Sequence, residues 1–280
     1  MPDFLLELFS EEMPADAQLP ASEDLKKSII DGFSNELISY SNAVSFSTPQ
    51  RLCVFVEGLA PVSEKKVDIK RGPKLGAPIR AIEGFASSLN LKVEDLTIKE
   101  VEKGSYYFAE LHQAESKVAD LASKIVKEAI LTLGWKKSMR WGNSKIKWIR
   151  PLRSILCIMT YEDHSEVVSV NIDGIKASDI TWGHRFMCPE KFTVNCFESY
   201  KDQLRNRYVI LDPNERAEII WTDANNLAFS QGLRIIKDED LLKEVAGLVE
   251  WPSVLMGEIA QKYLDLPLEV LQTSMKVHQK

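Results

Sequence analysis

The stretch RLCVFVE, Arg51 to Glu57, limits what this chain can fold into more than any other. Side chains alternate across a strand with a period of two, so Leu52, Val54 and Val56 share one face while Cys53 and Phe55 share the other. A strand with one solvated face would be polar there; here both faces are apolar and both need cover. The strand therefore belongs in the middle of a sheet. A second strand is expected at Phe4 to Phe9, an apolar run that Ser10 breaks ahead of Glu11 and Glu12.

Helical spacing supplies the cover. From Ser22 onward Leu25, Ile29, Phe33 and Leu37 recur every four residues behind an acidic first turn, which predicts a core-facing helix. Pro78 suits the first position of a helix holding Ile82, Phe85, Ala86 and Leu89. Val118, Leu121, Ala122, Ile125, Val126, Ala129 and Leu133 predict a long amphipathic helix stopped at Gly134. Between these, VSEKKVDIKRGPKLGAP reads as a mobile basic loop. Thr97 to Val101 and Tyr106 to Leu111, joined through Lys103 and Gly104, read as a hairpin.

Arg153 to Tyr161 and Glu166 to Ile172 predict another hairpin, after which a loop leads through TWGHRF. Beyond about residue 195 the pattern turns helical. Asp212, Pro213 and Glu215 offer a cap, a first-turn proline and a capping-box acid for a helix over Glu215 to Ser230. Further helices are expected over Leu241 to Glu250 and Pro267 to His278, around a short strand at Ser253 to Met256. Strands followed by helices, without regular βαβ alternation, predict an α+β fold. The division expected is an N-terminal domain with a mixed or antiparallel sheet, residues 1–195, followed by a mainly helical region, residues 196–280.

With 280 residues, 45% of them hydrophobic, the chain can bury a sizeable core. No run approaches the roughly 18 apolar residues that span a bilayer, and MPDFLLELFSEE lacks the basic start and cleavage site of a signal peptide. No membrane partner and a cytoplasmic location are expected. Cys53, Cys157, Cys188 and Cys196 are scattered without a CxxC pair, which suits reduced thiols.

Against a formal charge of −6, the stretch Trp135 to Ser154, WKKSMRWGNSKIKWIRPLRS, holds seven lysines and arginines, three tryptophans and no acid. Set those seven aside and the remainder carries 28 basic residues against 41 acidic ones. A run of positive charge is commonly just a solvated face. Here it reverses the local field, and it pairs cations that neutralise phosphate with indoles on which bases or guanidinium groups stack. Nucleic acid is the partner such a strip fits, through Lys136, Lys137, Arg140, Lys145, Lys147, Arg150 and Arg153. Trp148 is expected in the core, in alternation with Ile146, and Trp141 at the surface. A second basic group, Lys65, Lys66, Lys70, Arg71 and Lys74, would touch RNA through phosphates, Arg71 and Lys74 foremost.

GHRF, Gly183 to Phe186, places His184 beside Arg185, a pair able to hold loop architecture or to bind an anion. His184, Cys188 and Cys196 match no zinc spacing. No GxGxxG or GxxxxGK[ST] occurs, and no nucleophile constellation can be picked out, so neither catalytic nor metal residues are assigned.

The ordered motifs SEEMPA (10–15), TPQRL (48–52), RGP (71–73), EGFA (83–86), MRWG (139–142), RPL (150–152), GHRF, EVAGLVEWP (244–252) and LPLEVLQTSMKVHQK (266–280) are specific in combination. On them the whole chain resembles the N-terminal part of the β subunit of the bacterial two-subunit glycyl-tRNA synthetase. One departure stands out: Gln50 occupies a position where the family commonly has a second Arg. The resemblance implies a piece of a longer subunit, lacking an anticodon-binding region. It implies a tRNA-binding β subunit within an α2β2 ligase that attaches glycine to its tRNA, with the strip from Lys136 to Arg153 on the tRNA backbone, Trp141 shaping or stacking against it, and His184 and Arg185 as a second, weaker RNA contact. ATP and magnesium would be used through the α subunit, with no cofactor bound by this part. A rival expectation is a non-catalytic scaffold that docks the α subunit through an apolar patch at Leu248, Val249, Trp251 and Pro252, with little RNA contact.

Overall fold

Residues 1–61, 67–89, 91–101, 104–112, 117–144, 146–263 and 265–278 are described by the computed structural model. In chain order the elements are β1 (Asp3–Ser10), α1 (Ala15–Asn35), β2 (Asn42–Ser47), β3 (Arg51–Glu57), β4 (Val67–Lys74), α2 (Ile79–Ser88), β5 (Leu96–Val101), β6 (Gly104–His112) and α3 (Val118–Thr132). Then follow β7 (Leu152–Thr160), β8 (Ser165–Val167), β9 (Asn171–Ile172), β10 (Ile175–Ser178), β11 (Ile180–Trp182) and β12 (Lys191–Thr193). The chain continues through α4 (Phe197–Asn206), α5 (Pro213–Ser230), α6 (Glu239–Ala246) and α7 (Leu268–Thr273).

The main sheet runs β2-β3-β1-β7-β10-β9, with β8 also paired to β7. It is antiparallel except where β10 joins β7 in parallel, so an α+β fold with a mixed sheet is what forms. β3 lies inside it, between β2 and β1, and its two apolar faces enter two different cores. Leu52, Val54 and Val56 join Phe4, Leu6 and Leu8 of β1 beneath α1 and α3. Cys53 and Phe55 join Leu5, Leu156 and Ile158 beneath Phe192 of β12, Tyr200 and Leu204 of α4, and Val209 and Leu211. Every residue of the predicted α3 stripe is buried, and Leu133 closes the helix by leaving helical dihedrals at φ −57° and ψ 120°.

Several local expectations give way to tertiary context. α1 begins at Ala15 and passes through Pro20, so Ser22 lies inside it; Leu37, past its end, is exposed with φ 55° instead of joining the stripe. Much of the predicted basic loop is β4, which gains its strand character by pairing with β6. Lys65 and Lys66 lie outside the described residues, as does Lys103 of the predicted hairpin turn. Strand β8 pairs with β7 as expected, but Asn171 and Ile172 pair with β10. Thr181 and Trp182 of TWGHRF belong to β11 and pair with β12. α6 ends at Ala246, short of Glu250, and Ser253 to Met256 forms no strand.

β4, β6 and β5 form a separate antiparallel sheet in that order, with α2 against β4. Among the described residues those buried here are Ile82 and Ala86 of α2 and Ala109 of β6.

Candidate nucleic-acid interface and the buried network behind it

Three tryptophans fix the basic stretch after α3. Trp148 is buried in the main core, Trp135 packs edge-on against it with ring centroids 4.9 Å apart, and Trp141 packs against the same core half-exposed. Met139 and Trp148 exchange backbone hydrogen bonds of 2.8 and 3.2 Å, an isolated antiparallel bridge that closes the loop, and Gly142 turns it at φ 53°. Ile146 and Ile149 are buried as well. With the apolar side chains turned inward, Lys136, Lys137, Arg140, Lys147, Arg150 and Arg153 are left exposed. Lys145 lies outside the described residues. The Arg150 guanidinium donates to the Ile149 carbonyl at 2.9 Å. Among the described residues none of Lys136, Lys137, Arg140, Lys147 and Arg150 has an acidic partner, whereas Arg153 lies 3.7 Å from Glu11.

Behind the Arg153 end of this strip sits a buried ion network. The β1–β3 register places Glu7 beside Cys53 and Phe9 beside Arg51, all facing the second core. Arg51 is completely buried. Its Nε lies 3.2 Å from Glu7, one terminal nitrogen pairs with Glu250, and the other donates to the carbonyls of Trp182 and Gly183. Glu7 also accepts from the Thr181 hydroxyl and, at 2.6 Å, from the Tyr200 phenol. Glu250 accepts from the Thr48 hydroxyl at 2.6 Å.

Burial pushes the Glu7 carboxyl up, although Arg51 and the two hydroxyls hold it back. For Arg51 burial acts downward, but Glu250 and Glu7 outweigh it and hold the guanidinium charged. Tyr200 is raised by burial and by Glu7, so its phenol stays a donor. A second buried cation, Arg216 of α5, donates to the carbonyls of Ala246 at 2.9 Å, Ile210 at 2.7 Å, Leu211 at 3.1 Å and Ser47 at 2.9 Å. Burial lowers its pKa to about 10, which leaves it charged at neutral pH.

The network gathers motifs that lie far apart in sequence. Arg51 belongs to TPQRL, Gly183 to GHRF and Glu250 to EVAGLVEWP. SEEMPA arrives through the Ser10 amide donating to Gln50, the Glu11 amide to Pro151 of RPL and the Met13 amide to Pro49. Gln18 ties α1 to the end of α6 by donating to Gly247 at 2.6 Å. A Cβ at Gly247 would stand 2.7 Å from that of Ala15, so the close approach needs glycine. Gln50 is buried and presents no side chain to a partner.

Toward solvent the same centre forms a rim. Phe9 stacks on Trp182 at 5.6 Å and lies 4.7 Å from the guanidinium of Arg51 and 5.5 Å from that of Arg153. Arg185 pairs with Glu12 at 2.6 Å. The His184 Nδ1 accepts from the amides of Phe186 at 3.3 Å and Met187 at 3.2 Å, which fixes the proton on Nε2. Burial, with Arg51 and Arg185 nearby and Glu250 opposing them, lowers its pKa. Both residues of the pair thus hold the loop. A Cβ at Gly183 would meet the Cys188 carbonyl at 2.3 Å, which accounts for the glycine of GHRF. Phe186 is 78% exposed and Met187 50%.

The second basic group lies elsewhere, on the small sheet: Arg71 and Lys74 are exposed on β4, and Arg71 covers the ring of Tyr106 at 3.6 Å. Of the apolar patch, Leu248 is exposed and Trp251 is half-exposed, edge-on to Tyr208 at 5.3 Å. Sequence reasoning placed the exposed cations but missed Glu7, Arg51, Arg216 and Glu250 as the centre that organises them. One signal was present: a glutamate inside the apolar run FLLELF requires a buried partner. Among the described residues no three of His, Cys, Asp and Glu come together as a metal site needs, and no helix is long and apolar enough to cross a membrane.

Fold and site define an α+β protein whose surface is organised by a buried ion network and carries a tryptophan-anchored cationic loop. Comparison with known proteins makes the assignment specific. The family model described as the glycyl-tRNA synthetase beta subunit matches residues 4–280. Curated glycine–tRNA ligase beta subunits are similar over all 280 residues: 48% identical in Ruegeria sp. strain TM1040, 47% in Cereibacter sphaeroides strain ATCC 17023 and 46% in Paracoccus denitrificans strain Pd 1222. The chain belongs to the glycyl-tRNA synthetase beta subunit family. It spans 41%, 40% and 41% of the lengths of those relatives.

Proposed function

We propose that this chain is a tRNA-contacting part of a glycine–tRNA ligase, holding the RNA backbone while an α subunit, using ATP and magnesium, activates glycine. The observation that carries this reading is the strip Lys136, Lys137, Arg140, Lys147 and Arg150: five exposed cations on an apolar-anchored loop, without acidic partners among the described residues, in a chain of formal charge −6. Unpaired cations on a fixed loop can neutralise phosphates without first breaking an internal ion pair, and their contribution is positioning more than base reading. Trp141 shapes the surface between them.

The test is a fluorescence titration of the chain against glycine tRNA and an unrelated tRNA across salt. Replacing Lys136, Lys137 and Arg140 together with Gln is expected to weaken binding to both RNAs and to flatten the log–log salt slope by about three, roughly one for each phosphate that is no longer neutralised. Unchanged affinity and slope would sink the reading.

A second reading, docking of the α subunit, draws on the exposed Phe186, Met187 and Leu248 together with Trp251. Gel filtration with separately made α subunit distinguishes it: co-elution without RNA affinity favours docking.

A further inference from the structure

We propose that the face of the β4-β6-β5 sheet that carries Tyr106 and Phe108 binds an unpaired segment of RNA, with bases stacking on these two rings and phosphates held by Arg71 and Lys74. This rests on the reading that the chain contacts tRNA, and it adds a second place and a different kind of contact.

Strand register sorts the side chains of this sheet. Phe108 is opposite Arg71 on one side and Thr97 on the other, and Tyr106 is opposite Lys74 and Lys99. Directly paired residues, and residues two apart on one strand, share a face. Tyr106, Phe108, Arg71, Lys74, Thr97 and Lys99 are therefore on the same side. Ala109 points to the other side and is completely buried; Ile82 and Ala86 of α2, the helix packed against β4, are buried as well. Among the described residues both rings on the opposite side are half-exposed.

Composition and spacing favour unpaired RNA on this surface. A sheet face that served only its own core would be filled with aliphatic side chains; this one, beside the exposed Ile69 and Val101, carries two rings and the cations Arg71, Lys74 and Lys99. Arg71 already holds its guanidinium over Tyr106, 3.6 Å from the ring centroid, so a π surface and a charge are presented together. Tyr106 and Phe108, two apart on one strand, stand about 6.8 Å apart. That is about twice the rise between stacked bases in a duplex, too wide for a continuous stack and suited to bases splayed onto separate rings. A protein partner fits less well, because lysine is depleted at the centres of such interfaces.

The test measures polarisation of a labelled single-stranded oligoribonucleotide of about eight nucleotides, within the usual site size, beside a labelled RNA duplex of the same composition. Replacing Tyr106 and Phe108 together with Leu, which keeps apolar bulk, is expected to weaken single-strand binding about tenfold or more while leaving duplex binding in place. Arg71→Gln, an exposed position, is expected to weaken single-strand binding severalfold with an unchanged melting curve, which guards against misfolding of the ring variant. Gln at Lys136, Lys137 and Arg140 should do the converse, weakening the duplex more than the single strand. Duplex binding without single-strand binding, or single-strand binding indifferent to both sheet variants, overturns this inference and leaves the proposed function standing. Binding of neither RNA overturns both.

Discussion

Arg51 and Arg140 are the same residue type about ninety positions apart, and they show two opposite uses of one charge. Arg51 is wholly buried between Glu7 and Glu250, its terminal nitrogens on Glu250 and on two carbonyls and its Nε 3.2 Å from Glu7. Arg140 stands in solvent on a loop pinned by Trp135, Trp141 and Trp148, with no acidic partner among the described residues. Taking a guanidinium out of water is costly, and partners recover that cost only if all of them are present, so the buried cluster reports on whether the fold is complete. An exposed, unpaired cation costs the fold almost nothing and keeps its field for something else. Fold integrity and ligand attraction are thus assigned to different charges, and each can be changed without the other.

The sharpest way to break this contrast is at Arg51. Arg51→Met leaves Glu7 and Glu250 buried without their cation and should cost about 3–5 kcal/mol, read as a fall in the urea midpoint. A cost no larger than that of a surface substitution would mean the cluster does not hold the fold together. Arg216→Lys comes next, at about 2 kcal/mol or more, because an ammonium cannot serve four carbonyls held around a planar fork. The strip should behave oppositely: the Gln variant of Lys136, Lys137 and Arg140 is expected to keep the wild-type urea midpoint while losing RNA affinity. A midpoint shift as large as that of Arg51→Met would erase the distinction.

The smallest effect is expected at His184, where the two uses meet. Its folded pKa is lowered, so the unfolded chain binds the proton more readily. Stability from this group is present above the unfolded value of about 6.5 and is lost as pH falls from there through the lowered folded pKa. NMR titration should find the imidazole pKa below 6.5, with the Phe186 and Met187 amide shifts following it as Nδ1 is protonated. A pKa at or above 6.5 would place the hydrogen bonds to Nδ1 in doubt.

Periodic features were legible in the sequence. The two apolar faces of RLCVFVE, the α3 stripe and the burial of Trp148 follow from alternation and helical spacing, which are local properties. The basic segment after β3 misled because nothing local makes VDIKRGPK a strand; β6 supplies the pairing. Pro20 hid the first turns of α1, since a proline reads as a break when the tertiary packing that holds a helix around it is unseen. Glu250 read as part of a helix because its partners, Arg51 and Thr48, lie about two hundred residues earlier. Charge pairing at that range leaves no periodic trace.

That range also has a consequence for how the chain is made. Arg51 and Glu250 are 199 residues apart, so at roughly 5–20 residues per second a ribosome leaves roughly 10–40 s between the appearance of one and the other. During that interval the first strands can pair, but Glu7 and Arg51 lack the third charge of their cluster, and for most of it the sheet face beside them lacks α4 and the residues around Val209. Vectorial synthesis therefore passes through a half-covered sheet, and the ion cluster is completed only when Glu250 emerges, after the cover itself.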